Sequence, residues 1–173
     1  WNHIQRKKAE EEVRKSEEKY RRIIETASEG IIIHDESFTY TFVNERFAEM
    51  LGYTQEELIG SDPIKFTFEE DIQQILERRK ESRHGILESF ERRYRRKDGT
   101  TLWTHLSRTP IKDEQGRFIG VFSMHTDITH RKQAEEALKK SEEKYRSIFE
   151  NAVEGIFQSN PEGKLISVNP AMA

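Results

Sequence analysis

The chain has 173 residues, 34% hydrophobic and 35% charged, with a net charge of −3. That composition predicts one modest core beside much solvated surface, without the basic footprint of a nucleic-acid-binding protein. It contains no cysteine, which removes disulfides, Cys-based zinc sites and thiol nucleophiles and fits a reducing, cytoplasmic compartment.

Residues 5–27 are rich in Glu, Lys, Arg and Ala and free of Gly and Pro, which predicts a long helix. Ala9, Val13, Ser16, Tyr20 and Ile23 step along it at spacings of four and three, a heptad seam with a weak centre at Ser16. Two readings stand: an amphipathic helix lying on its own domain, or a parallel two-stranded coiled coil. The densely charged outer faces favour the coiled coil. Strands are predicted at 30–34 and Tyr40–Val43. Asn44 suits the N-cap of a short helix, Glu45–Leu51, stopped by Gly52. Thr54 caps another, with Glu56 and Glu57 in its first turn, and Gly60 ends it. A longer helix spans 69–83. A strand at 89–96 runs into the Asp98-Gly99 turn, and its basic run, 92–97, reads as a solvated strand face. Strands at 101–110 and 118–126 flank a polar loop, and Asp127-Ile128-Thr129 opens the next helix. Hairpin-length turns join the last three strands. The order predicts an α+β fold, a five-stranded antiparallel sheet with short helices on one face, flanked by long linker helices. No apolar run approaches the ~20 residues of a membrane span. Residue 1 is Trp and no signal-peptide pattern follows, so the expectation is a piece of a longer protein, without membrane contact of its own.

An internal repeat organises the chain. KSEEKYRRIIETASEGI at 15–31 returns as KSEEKYRSIFENAVEGI at 140–156. The same offset pairs Arg6-Lys7 with Arg131-Lys132, Ala9-Glu10-Glu11 with Ala134-Glu135-Glu136, and Val43-Asn44 with Val168-Asn169. The seam recurs too, at Ala134, Leu138, Ser141, Tyr145 and Ile148. A constant offset over separated words marks a duplicated unit. The expected division is an N-terminal linker helix (1–15), a complete domain (16–130), a connecting helix (131–147) and the truncated start of a second domain (148–173), too short for a core of its own.

The words KYRRIIETASEGI, Val43-Asn44, FAEMLGYTQEELIG at 47–60, RKDG at 96–99, Trp103, DEQG at 113–116 and DITHRK at 127–132 stand in the order and spacing of a PAS domain with its C-terminal PAC half. Each is weak alone; together they are specific, and the resemblance covers about 16–130 and 141–173. One departure is visible. PAS domains usually carry a glycine in the turn between the first two strands. The second copy has Gly163, but the first has Phe38, so that turn is expected to take another geometry. The resemblance implies a sensory PAS module of a multidomain signalling protein, in a tandem array. It would relay a ligand or conformational signal through linker helices to an output domain of histidine kinase or diguanylate cyclase type, as a homodimer. A ligand-free dimerisation and spacer module is the alternative.

Arg92, Tyr94, Trp103, His105 and His125 lie on the last three strands and are the pocket candidates. Alternation puts Phe90, Arg92 and Tyr94 on one face, either the pocket or the sheet's back. A buried Arg92 guanidinium would need an anion. Cysteinyl-flavin and thioester chromophores are excluded for want of a cysteine. Haem is disfavoured, because 68–71 has no histidine where haem-binding PAS domains place one. Non-covalent flavin or a small organic ligand stays open. The six histidines lack metal-ligand spacing, so no metal site is expected. No P-loop, GGDEF-like or HExxH-like motif occurs, and this stretch is not expected to be an enzyme. His105-Leu106-Ser107 superficially resembles a kinase phosphoacceptor box but lacks the acidic neighbour and sits in a strand. Asp127 and Thr129 are N-capping residue types at the junction where PAS sensors hand their state to the outgoing helix. Both are expected to cap that helix and to relay the signal.

Overall fold

Runs of β-branched and aromatic residues favour the pleated backbone, and five of them form one sheet. The computed structural model describes residues 2–85 and 88–172; Trp1 of the expected first linker and Ala173 of the second copy lie outside the described residues. The strands are β1 (Gly30–Asp35), β2 (Tyr40–Val43), β3 (Glu88–Arg95), β4 (Thr101–Lys112) and β5 (Phe118–Asp127). Their order is β2-β1-β5-β4-β3, with every neighbour antiparallel. The long helix α1 (Asn2–Glu25) precedes them. Short helices α2 (Glu45–Leu51) and α3 (Gln55–Leu58), two 3-10 turns (Pro63–Phe66 and Glu69–Asp71) and α4 (Ile72–Arg83) lie between β2 and β3. The α+β architecture expected from the sequence is therefore present.

Alternation decides which face carries the core. On β4, Leu102, Thr104 and Leu106 are buried, while His105 and Ser107 are exposed. Ile32, Tyr40, Val43, Tyr94 and Leu102 from the sheet meet Phe47, Ala48, Met50, Leu51, Leu58 and Phe66 from the helical layer. Phe47 is the hub, packing edge-on against Tyr94 at 5.8 Å between ring centroids and against Tyr40 at 6.1 Å. Each such side chain contributes about 1.5–3 kcal/mol by leaving water.

Local signals place the short helices. Thr54 and Glu57 form a full capping box on α3, each satisfying an amide that the helix leaves open. Asp62 caps the Pro63–Phe66 turn by accepting from the Ile64 N–H at 2.8 Å; this Asp-Pro start is a helix signal that the sequence reading passes over. Asn44 does more than cap α2. Its Oδ1 accepts from Phe47 N–H at 3.0 Å and Ile31 N–H at 2.8 Å, and its Nδ2 donates to the carbonyls of Ile24 at 3.0 Å and Glu29 at 3.1 Å. One buried amide thus ties together the last turn of α1, the start of β1 and the start of α2.

The turn after β1 corrects an expectation. Phe38 adopts φ +62°, the left-handed conformation that Gly163 takes at +79° in the second copy. The two turns share their bonding. Phe38 N–H donates to the Asp35 carbonyl and the Asp35 carboxylate accepts from Thr39 N–H; Gly163 N–H donates to the Asn160 carbonyl and the Asn160 side chain accepts from Lys164 N–H. A left-handed phenylalanine is strained by about 1–2 kcal/mol. Burial offsets this, because the ring is 4% exposed and packs on Phe118, His34 and the guanidiniums of Arg79 and Arg83. At Gly120, opposite Asp35, any Cβ would collide with the His34 carbonyl, so glycine permits the close β1–β5 approach.

The chain separates into two compact units, one ending at Thr129 and the other beginning at His130. The second holds most of α5 (Thr129–Asn151) and a hairpin of β6 (Phe157–Ser159) and β7 (Leu165–Val168). Asn169 repeats the knot of Asn44 there, accepting from Ile156 N–H and donating to the Glu154 carbonyl. Among the described residues, no helix is long and apolar enough to cross a membrane.

Candidate functional site

The core face of the sheet carries polar groups beyond the apolar cluster. Arg92, Tyr94 and His125 all point to this face, which resolves the choice between pocket and back that alternation alone leaves open. Tyr94 is 1% exposed and lies under the Arg92 guanidinium, 4.3 Å from its ring centroid. Arg92 Nη2 donates to Thr67 Oγ1 at 2.8 Å, and its Nε is buried without an acceptor. Among the described residues Arg92 makes no ion pair. His125 is buried beside Phe47 at 4.8 Å, with Nδ1 3.5 Å from Thr104 Oγ1 and Nε2 unpartnered.

The other two strand candidates lie on the opposite face. His105 is exposed, with Nε2 3.0 Å from Ser89 Oγ. Trp103 is half-buried, and its main chain bonds to Ile128 and Thr129 at the strand-to-helix junction. The structure thus brings Arg92, Tyr94 and His125 together on the core face, sets His105 apart from them, and leaves Trp103 at the border of an outer hollow that Arg92 also lines.

It also adds residues the sequence reading missed. His34 on β1 is only 9% exposed, and neither ring nitrogen has a hydrogen-bond partner. It stacks on Tyr40 at 5.1 Å. With Phe38, Ile75, Arg79, Arg92 and Arg108 it lines a cavity of about 30 Å³ between the sheet and α4. Asp62 pairs with Arg79 at its margin. A wider hollow of about 100 Å³ adjoins it, sharing Ile75 and Arg92 and bordered also by Phe90 and Trp103. Burial, reinforced by the positive charges of Arg92, Arg79 and Arg108, holds the His34 pKa down to about 3. Burial, then Arg92 and His34, pushes that of His125 well below its ordinary value. Both rings are neutral at physiological pH. One signal for His34 was available: it sits two residues after Ile32, on the same face of β1.

The strand-to-helix junction is bonded in detail. Asp127 Oδ1 accepts from Thr129 N–H at 2.8 Å, holding the first amide of α5. Its other oxygen accepts from Arg96 Nη2 at 3.3 Å. The Thr129 hydroxyl does not cap the helix, as its residue type suggests. It turns back to the sheet and accepts from Trp103 N–H at 3.0 Å, while Ile128 N–H donates to the Trp103 carbonyl at 2.9 Å. The fold needs an acceptor there, because on its β5 side β4 has no ladder partner beyond Thr104, which pairs with Asp127.

A layer of short helices covers one face of the five-stranded antiparallel sheet and encloses a polar cavity against it. The family model for the PAS fold matches residues 18–128, and a second, for the PAS domain, matches 143–173. This chain belongs to the PAS family. The C4-dicarboxylate transport sensor protein DctS of Rhodobacter capsulatus is 30% identical over 137 residues, covering 77% of this chain and 21% of that protein. The probable diguanylate cyclase DgcE of Escherichia coli is 24% identical over 126 residues, covering 72% of this chain and 11% of its own. The chain thus spans about a fifth or less of these curated relatives. The solved PAS domain of an HTR-like protein from Haloarcula marismortui is 23% identical with a TM-score of 0.63, covering 70% of this chain and 99% of that one. At this identity the likeness bears on the PAS fold alone.

Proposed function

We propose that this PAS chain is a cytoplasmic sensory module of a larger signalling protein, in which the state of the inner cavity biases the pose of α5 and so the activity of an output domain of histidine kinase or diguanylate cyclase type. The observation that carries the reading is the Trp103–Thr129 pair of bonds. β4 contributes Arg108 to the cavity wall and, at its other end, holds the first turn of α5, so one strand touches both input and exit. A ligand that favours one arrangement of β4 shifts the population of helix poses. Asp127 and Thr129 relay that shift. The test is Asp127→Asn and Thr129→Val in the full-length protein. Each is expected to lower domain stability by about 1–3 kcal/mol, the cost of leaving a donor without its acceptor, and to uncouple output activity from stimulus at temperatures where the domain stays folded. Coupling that survives both substitutions sinks the reading.

The module acts as a homodimer through its linker helices. Val13, Tyr20 and Ile23 on α1 and Leu138, Tyr145 and Ile148 on α5 are all more than half exposed, and they are the heptad positions that a parallel partner helix would cover. Light scattering at high micromolar concentration is expected to give a dimer, both for the full chain and for a version ending near residue 140. A monomer in both argues against the coiled coil.

A ligand-free dimerisation and spacer role is the second reading, favoured by the density of the Tyr40, Phe47, Phe66 and Tyr94 cluster. Native mass spectrometry of the protein as purified separates the two, since only the sensor reading accommodates a stoichiometric bound molecule.

A further inference from the structure

The inner cavity has donors without acceptors. His34 is nine-tenths buried and aims both ring nitrogens at no partner, and the buried Nε–H of Arg92 has no acceptor. Native interiors rarely leave such groups unsatisfied, so each asks for an explanation. The charge balance points the same way. Arg79 on the cavity wall is matched by Asp62, but Arg92 pairs with no carboxylate among the described residues. A partly buried guanidinium without a counter-charge is the situation that a bound anion relieves.

Size narrows the anion. A space of about 30 Å³ holds a group of roughly two water-sized atoms, which suits a carboxylate head better than a phosphate. The adjoining hollow of about 100 Å³ presents Ile75, Phe90 and Trp103 among mostly polar and charged side chains, Asp71, Gln74 and Arg93 included, so there is room for a short tail whose methylenes meet Ile75 and Phe90. A planar carboxylate also matches guanidinium geometry, with two oxygens for two donors.

We propose that this cavity binds a small organic acid, its carboxylate held between the Arg92 guanidinium and the His34 ring and its short tail lying in the adjoining hollow. This rests on the sensory reading above and gives it a ligand class. Neutral His34 donates one N–H to the carboxylate, Arg92 supplies the charge, and the Arg79–Asp62 pair closes the wall. No bond is made or broken.

The test follows the histidine ring Cε1–H signals of the full chain by 1H–13C correlation spectra during titration with sodium acetate or butyrate, against sodium chloride at equal ionic strength. The His34 signal, assigned by its loss in His34→Gln, is expected to move saturably with both acids and not with chloride, with butyrate the tighter. Arg92→Gln is expected to weaken binding at least about tenfold, and Arg92→Lys to restore part of it. Should Arg92→Gln fail to fold, His34→Gln serves in its place, and the acid-induced amide shifts at Ile75 and Val121 are expected to shrink. A matching response to chloride overturns the organic-acid assignment. A silent His34 signal up to about 100 mM acid, a hundredfold past an affinity of ~1 mM, overturns the site. Neither result touches the sensory reading, which stands or falls on the Asp127 and Thr129 variants.

Discussion

Phe38 shows how a single side chain can override a conformational preference. The tight turn requires a left-handed residue, and glycine takes that role at Gly99, Gly116 and Gly163. The first turn has a phenylalanine instead because its ring fills a place between Phe118, His34 and Arg79. Phe38→Gly relieves about 1–2 kcal/mol of backbone strain but forfeits a buried ring worth about 3–5 kcal/mol. The expected outcome is a net loss of roughly 2–3 kcal/mol in urea unfolding, with the cavity beside His34 enlarged. The local sequence carried the turn, since Asp35 and the short gap announce it, but not the side chain's destination, which depends on strands far along the chain. The same limit applies to the pocket. Alternation grouped Phe90, Arg92 and Tyr94 correctly, yet which side faced the helices was invisible until β3 had a place in the sheet. Arg79 and Arg108 had no local signal at all, and meet His34 only because α4, β4 and β1 border one cavity.

At the scale of elements, caps and breakers were the most legible features. Gly52, Thr54 and Gly60 delimit α2 and α3 where their chemistry requires, because capping is satisfied within a few residues. The helix expected over 69–83 instead opens as a 3-10 turn, Glu69–Asp71, before α4 begins at Ile72. Asn44 read as a cap, and it is one, but its bonds to Ile24 and Glu29 make it a connector between elements. Asn44→Ala leaves buried amides and carbonyls unpaired and is expected to cost roughly 2–4 kcal/mol. Amide exchange locates the damage: protection should fall at Ile31 and Phe47 and at the C-terminal turn of α1, while the β3–β4 hairpin stays protected. Uniform loss of protection argues that Asn44 acts through global stability alone.

The whole molecule responds to acid through two hidden imidazoles. An unfolded histidine titrates near 6.5, whereas folded His34 is held down to about 3 and His125 lies well below its ordinary value. Below pH 6.5 the unfolded chain binds more protons than the folded one, so the His34 contribution to stability is full above that pH and is lost as the pH falls toward 3, and His125 acts in the same direction. The groups facing His34 set the sign: Arg92, Arg79 and Arg108 disfavour its proton, and Asp62 opposes them weakly. The pKa values of Glu57 and Asp62 are themselves lowered, so these two carboxylates join only in stronger acid. Urea unfolding between pH 6.5 and 4.5 is expected to lose on the order of 1 kcal/mol per pH unit through His34, with His125 adding to the loss. His34→Gln should make that slope shallower, and an unchanged slope would show that His34 does not sense pH.

Gly30 lies opposite His125, and Glu29 accepts a hydrogen bond from Thr126, so the polypeptide arrives and departs through adjacent strands at one rim of the sheet. A domain wired this way behaves like a bead with both holes drilled side by side. Whole beads can be threaded in or dropped out during evolution without re-cutting the string, and the sequence words shared by the two junctions of this protein are the trace such duplication leaves behind.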